Sequence, residues 1–264
     1  MLIPNFNLGQ QVAAGTERLG PKTPHLASTA CYSIFSSNGL VTNEGNSFII
    51  GDVGSNAGIT SNFDGFLVTG TVHPSPDPST AATAIDLFRV NNYLNLLPHN
   101  IELVYPAEFG NNLVLTPDTY LLNGNTNLTG TINFDARGNQ NSVFVIKIAG
   151  ALYAGIESKV VLLNGAQAKN IYWKVDNAVT IDDYSDFSGN IIVKAGDIHL
   201  KKQVIMDGRT FTNKGTITTN EIVATVPSGC GLISKYSLDK NTSEVRVTPK
   251  SLNEFININF ISKI

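Results

Sequence analysis

From residue 31 onward the chain is a succession of short apolar stretches separated by Gly, Asn and Asp. Ser47-Phe48-Ile49-Ile50-Gly51-Asp52-Val53 and Gly65-Phe66-Leu67-Val68-Thr69-Gly70 are two of them. This rhythm predicts many short strands joined by tight turns. In the second half the stretches fall into a repeat. Val179, Ile198 and Ile217 are 19 residues apart at each step, as are Trp173, Ile192 and Phe211, and Leu152 precedes Val179 by 27. A period near 19 with alternating apolar positions predicts a β-solenoid, in which each coil buries its apolar side against its neighbours. Alternation turns Leu152, Val179, Ile198 and Ile217 inward. The flanking pairs Ala151 and Tyr153, Ala178 and Thr180, Asp197 and His199, and Thr216 and Thr218 then face outward. The same reading places Thr131 with Asn133, Gly58 with Thr60 and Gly39 with Val41 on the continuation of that surface.

One segment breaks the strand rhythm. Asp77 followed by Pro78 and Ser79 supplies an N-cap with proline in the first turn. Ala81, Ala84, Ile85 and Phe88 fall on one helical face, with Leu87, Val90, Leu94 and Leu97 beside them, and Pro98 ends the run. A helix over 78–97 is about 28 Å long. Coils spaced by about 4.8 Å would let it lie along roughly six of them. Tyr172, Ile191 and Val193 are the outward apolar positions on which it is expected to dock.

Residues 1–30 carry little periodicity and read as a lead-in; 31–228 form the repeated body and 229–264 a C-terminal extension. Charged residues make up 15% of the chain, against roughly 25% in an ordinary soluble protein. Their place is taken by Asn, Thr, Ser and Gly, which gives a polar but nearly uncharged surface. A net charge of -3 and the lack of a basic patch speak against nucleic acid. No apolar run reaches the length of a membrane span. The opening Met1-Leu2-Ile3-Pro4-Asn5-Phe6-Asn7 lacks the basic and apolar regions of a signal peptide. Cys31 and Cys230 flank the patterned body, either as one disulfide or as two buried thiols. A bridge closing so long a loop would contribute about 5 kcal/mol in the chain-entropy model.

The chemistry-bearing residues are sparse. His25, His73, His99 and His199 show no zinc spacing, and no HExxH, GxSxG or phosphate-loop pattern occurs. Asp182, Asp197, His199 and Lys201 are the nearest approach to the carboxylate clusters of β-helical polysaccharide-cleaving enzymes. Those enzymes need a cleft walled by long loops, whereas the late coils here turn through short corners, so no catalysis is expected. Asp182 and Lys201 are instead expected to pair across adjacent coils. Asp176, Asp182, Asp183 and Asp186 crowd one coil, but solvated turn carboxylates account for them as well as a Ca²⁺ site does. No metal or cofactor is expected.

Several segments, in order and spacing, resemble the microbial ice-binding protein family. They are Gly51-Asp52-Val53-Gly54, Val68-Thr69-Gly70-Thr71-Val72-His73, Leu128–Phe144, Asn164–Val175, Phe187-Ser188-Gly189-Asn190-Ile191 and Asp207-Gly208-Arg209. The resemblance covers residues 31–228. It implies a right-handed discontinuous β-helix of triangular section with one long helix packed along a face, and ice bound by a neighbouring flat face. The end of the chain, Val245–Phe260, resembles the opening of a type IX secretion sorting domain, with Lys250-Ser251-Leu252 standing where that pattern prefers Asn-Pro-Phe. That likeness implies export to the medium or the cell surface.

Ice recognition needs a flat, stiff array of methyl and hydroxyl groups rather than a reactive centre. Strand positions i and i+2 lie about 6.6–6.8 Å apart, and threonine's branched side chain has few rotamers to lose. The expected ice-facing set is Thr60, Thr131, Asn133, Ala151, Tyr153, Ala178, Thr180, Asp197, His199, Thr216 and Thr218. Tyr153, Asp197 and His199 are bulky or strongly hydrated and interrupt it. They are the residues that an adhesion module, binding cells or glycans instead of ice, would use. The chain is expected to act as a monomer.

Overall fold

The computed structural model describes residues 19–227, within one compact unit. The strands are parallel throughout and wind into a solenoid with three faces. One face comprises Ile101–Glu102, Thr119–Leu122, Phe144–Ile148, Ile171–Val175 and the second halves of Asp186–Val193 and Ile205–Thr212; Tyr32–Ser36, Asp52–Ser55 and Val72–His73 complete it. A second face runs from Leu113–Leu115 through Thr131–Asp135 and Lys159–Leu163 to Phe48–Ile50 and Val68–Thr69. The third is a separate eight-stranded sheet.

Stacking does not follow chain order. Tyr32–Ser36 pairs with Ile205–Thr212, and Phe48–Ile50 pairs with Val223–Thr225. The two N-terminal coils of the described residues therefore sit on the last described coil and close one solenoid. Cys31, at the start of the first coil, is disulfide-bonded. Cys230, the partner the sequence offers, lies outside the described residues, as does the segment resembling a sorting domain.

The interior is a continuous apolar column. Trp173 is fully buried, its ring lying 5.0 Å from Phe187 and 5.5 Å from Phe134 between centroids. Its indole N–H donates to the Ser188 carbonyl at 3.0 Å, so the one polar atom of the ring is satisfied inside the core.

The helix α1 spans Pro78–Leu96. Asp77 accepts from the backbone N–H groups of Ser79 and Thr80 at 2.7 and 3.0 Å, while Thr80 Oγ1 accepts from the Asp77 N–H at 2.9 Å. This reciprocal cap satisfies the orphan donors of the first turn. At the far end Lys147 Nζ donates to the carbonyls of Asn95 and Leu97 at 3.0 and 2.6 Å, where a cation also complements the helix dipole.

The docked stripe differs from the expected one. Thr80, Thr83, Leu87, Val90 and Leu94 are buried, whereas Ile85 and Phe88 are exposed. The apolar sector is wider than the contact, and two threonines are buried within the docked stripe. Thr83 satisfies its hydroxyl on the Ser79 carbonyl at 2.9 Å. Beneath the helix lie Tyr32, Phe35, Val143, Val145, Tyr172, Ile192 and Phe211. Tyr172 is where the sequence puts it, but Ile191 and Val193 point into the solenoid and Ile192 takes the outward place. On this face Trp173 pairs with Ile191, a step of 18 residues. The nineteenth residue is absorbed in the following corner, so a 19-residue alignment slips by one here and inverts the facing.

Candidate functional site

The eight-stranded sheet consists of β1 (Val41–Glu44), β2 (Thr60–Ser61), β3 (Phe109–Gly110), β4 (Thr126–Thr129), β5 (Leu152–Ala154), β6 (Val179–Ile181), β7 (Ile198–Lys202) and β8 (Ile217–Asn220). Their spatial order is β2-β1-β8-β7-β6-β5-β4-β3. One inward column is Thr60, Val41, Ile217, Ile198, Val179, Leu152 and Thr126. The outward column beside it is Ser61, Thr42, Thr218, His199, Thr180, Tyr153 and Asn127. A second outward column precedes the strands: Ile59, Leu40, Thr216, Asp197, Ala178 and Ala151 present their carbonyls in sequence to the N–H groups of the neighbouring coil.

The corner leading into the sheet sets this register. Gly58, Gly39, Gly215 and Gly196 stack on one another. A Cβ on Gly58 would stand 2.1 Å from the Gly39 carbonyl oxygen, one on Gly39 1.9 Å from that of Gly215, and one on Gly215 2.1 Å from that of Gly196. Only glycine lets successive coils approach so closely. Buried hydroxyls tie the same carbonyls: Ser55 donates to Gly39 at 2.6 Å, Ser36 to Gly215 at 2.7 Å and Thr212 to Gly196 at 3.0 Å.

Eight of the expected residues are brought together as four rows on this surface: Ala151 with Tyr153, Ala178 with Thr180, Asp197 with His199 and Thr216 with Thr218. Three are not. Thr60 is inward and 4% exposed; Ile59 and Ser61 hold the outward places of its coil. Val41, read as outward, is likewise fully buried, and Leu40 and Thr42 face out. Thr131 and Asn133 lie on the second face, paired with Leu113–Leu115 and Lys159–Leu163. Asn125 and Asn127 stand in their row instead. The misplacement has a local cause. Gly130-Thr131-Ile132-Asn133-Phe134 repeats the pattern of Gly150-Ala151-Leu152-Tyr153-Ala154, but its glycine opens a different corner. The corner glycine is also the signal that finds the missed residues, because the outward positions follow it by one and three in Gly39-Leu40-Val41-Thr42 and Gly58-Ile59-Thr60-Ser61.

The irregular residues have partners. The Asp197 carboxylate accepts from the Thr216 N–H at 2.7 Å, as Asn125 Oδ1 does from the Ala151 N–H at 2.9 Å. Both side chains fold back to brace the next coil. His199 Nδ1 lies 2.7 Å from Thr218 Oγ1 and engages its hydroxyl. The Tyr153 hydroxyl donates to Asp182 Oδ2 at 2.6 Å. That bond holds the Asp182 carboxyl below the ordinary carboxylate range and pushes the Tyr153 phenol up. Lys201, on the adjacent coil, adds its positive charge to the lowering of Asp182, while the direct hydrogen bond of Asp182 is to Tyr153. At a bulge in β7, Lys202 reaches Glu221 at 3.6 Å. Of the four acidic residues considered for Ca²⁺, Asp176 pairs with Lys174 and Asp183 accepts from the Lys202 N–H. Among the described residues no three acidic, histidine or cysteine side chains are placed to hold a metal ion. No helix among them is long and apolar enough to cross a membrane.

A family model described as "Ice-binding-like" matches residues 34–225. Ice-binding protein 1 of Shewanella frigidimarina (strain NCIMB 400) is 30% identical over 234 residues, 76% of this chain and 26% of its own length. An ice-binding protein of Nostoc sp. (strain HG1) is 30% identical over 69% of this chain and 67% of its own. Among solved structures, an ice-binding protein from an Antarctic bacterium, Flavobacteriaceae, superposes with a TM-score of 0.82 at 48% identity. That match covers 83% of this chain and 52% of the other. The Shewanella frigidimarina domain superposes with a TM-score of 0.69 at 29% identity, over 80% of this chain and all of that domain. The chain thus spans 26% of the length of the full Shewanella protein and 52% of that of the crystallised Flavobacteriaceae protein.

Proposed function

Because the chain belongs to the ice-binding-like family, we propose that it binds ice, with antifreeze and recrystallisation-inhibiting action, through the outer surface of the eight-stranded sheet. One observation carries the assignment to this sheet. It is a run of stacked parallel strands whose two outward columns hold mostly aliphatic and hydroxyl side chains, interrupted by Asp197, His199, Tyr153 and Asn127, on a glycine-registered backbone. Strands spaced by about 4.8 Å, with outward positions about 6.6–6.8 Å apart along each, form a regular lattice of small groups. Such groups are held rigid before contact, so little conformational entropy is lost on binding. The helix covers another face and leaves this one open.

The reading extends to an exported or cell-surface protein acting as a monomer. The disulfide at Cys31 supports it, because such bonds persist in oxidising compartments. The test is ice-recrystallisation inhibition and thermal hysteresis of the purified chain against a heat-denatured control. Ice crystals that coarsen equally in both would sink the proposal.

A second reading rests on Tyr153. Its ring is 43% exposed and its hydroxyl is fixed by Asp182, with Asn125 and Asn127 on the next strand. An aromatic plate beside a carboxylate and amides suits a sugar ring, as in a glycan-binding adhesin. A glycan array on the parent and on Tyr153→Ala discriminates, since a specific signal lost in the variant would favour adhesion.

A further inference from the structure

We infer that ice meets only one end of this sheet, the three rows contributed by β8, β1 and β2, and that Leu40, Thr42, Ile59 and Ser61 belong to the binding surface with Thr216 and Thr218. The inference rests on the ice-binding reading and narrows it.

Row by row, the outward chemistry changes along the sheet. At one end Ile59, Leu40 and Thr216 form a column carrying methyl groups, and Ser61, Thr42 and Thr218 a column of hydroxyls. Leu40 and Ile59 are 45% and 60% exposed, the only outward aliphatic side chains of that size among the six described rows from β2 to β5. No charged side chain falls in either column over these three rows; Glu44, outward two residues past Thr42 and bonded by Asn220, bounds the array on that side. The next row breaks the surface with Asp197 and His199. Beyond it Ala178 and Thr180 are a single compatible row, closed off on the far side by Tyr153, Asn125 and Asn127. A planar solid touches contiguous rows, and the row at β6 stands alone between the charged, hydrated row of Asp197 and His199 and the 43% exposed Tyr153. The lone row at β6 is therefore shielded, and the array at the other end, about 10 Å by about 7 Å between outermost positions, makes the contact.

These rows come from opposite ends of the described residues. Thr219 Oγ1 donates to Asn43 Oδ1 at 2.7 Å, and Ser47 Oγ accepts from the Ile222 N–H at 3.0 Å, joining residues 176 and 175 positions apart. The surface exists only when the N-terminal coils are seated on the last one.

The test compares thermal hysteresis and recrystallisation inhibition for Thr42→Tyr, Leu40→Lys, Thr180→Tyr and Asn127→Tyr, with thermal melts to confirm the fold of each. Thr42→Tyr and Leu40→Lys should lower activity by about tenfold or more, as for central contact residues, and the other two should stay within about twofold. Leu40→Lys keeps the test open should Thr42→Tyr misfold. An active parent with undiminished Thr42→Tyr and Leu40→Lys variants overturns this inference alone, as does equal loss at Thr180→Tyr. An inactive parent overturns the ice-binding reading and this inference with it.

Discussion

Ser36 and Gly215 stand 179 positions apart in sequence, yet the Ser36 hydroxyl donates to the Gly215 carbonyl at 2.7 Å inside the corner of the solenoid. The bond fastens the first coil to the last. Ser36 is fully buried, so deleting its hydroxyl removes the side-chain donor of the part-buried Gly215 carbonyl and leaves a small void beside it. Ser36→Ala should cost about 1–2 kcal/mol of stability. Chemical denaturation checks it, with Ser55→Ala, which loses the equivalent bond to Gly39, expected to fall by a similar amount. A neutral Ser36→Ala would show the hydroxyl to be dispensable.

Arg209 is a second fastening. Its guanidinium is 2% exposed and donates to the Ala30 carbonyl from Nε and Nη2 at 3.0 and 2.6 Å, and to Asn190 Oδ1 from Nη1 at 3.0 Å. Burial draws its pKa down to about 10, still charged at neutral pH. Arg209→Leu should destabilise by about 3 kcal/mol, because charged hydrogen bonds are lost and their acceptors left buried. Lysine lacks the planar fork, so Arg209→Lys should restore little of it in the same melts.

Acid should loosen the helix end. The Ser79 hydroxyl, the His73 imidazole and the Thr80 N–H hold the Asp77 carboxyl far below the ordinary range, and Ser28 lowers Asp86 in the same direction. A depressed folded-state pKa contributes stability that is present above the unfolded value, about 3.9, and lost as pH falls through the folded one. Melting temperature should therefore be insensitive to these groups above about pH 5 and decline below about pH 4. Asp77→Asn keeps a capping side chain without the titration, so its deficit against the parent should shrink in acid. A deficit that is constant from pH 6 to pH 2.5 would contradict this.

Tyr153 and His199 interrupt the outward array. His199→Thr frees the Thr218 hydroxyl and lengthens the contiguous surface by half a row, and thermal hysteresis should rise. Tyr153→Thr should have a smaller effect, because its row lies beyond Asp197. Stability should move by no more than about 0.5 kcal/mol in the first variant, since the position faces solvent. Lower hysteresis in His199→Thr would mean that the imidazole itself takes part in binding.

The sequence by itself determined the solenoid, its helix and the residue types of the outward surface, because strand alternation, capping and a near-constant period are local properties. Asp77-Pro78 and Pro98 bound the helix without help from the rest of the chain. Val179, Ile198 and Ile217 share a column because nothing between them alters the count. Where a strand step took one residue fewer, the facing inverted, and Ile191 and Val193 changed sides. Thr60 and Val41 are inward because each is the second residue after its corner glycine, the place that Ile198 and Ile217 also hold. Thr131 and Asn133 show the same limit, since one local pattern serves two different corners. Only the tertiary structure decided which coils are neighbours. Bringing Leu40 and Thr42 beside Thr216 and Thr218 depends on contacts some 175 residues apart, on stacked glycines and on a buried arginine, none of which leaves a periodic trace. Register is local and can be counted along the chain, whereas closure is a global minimum set by packing the two ends together.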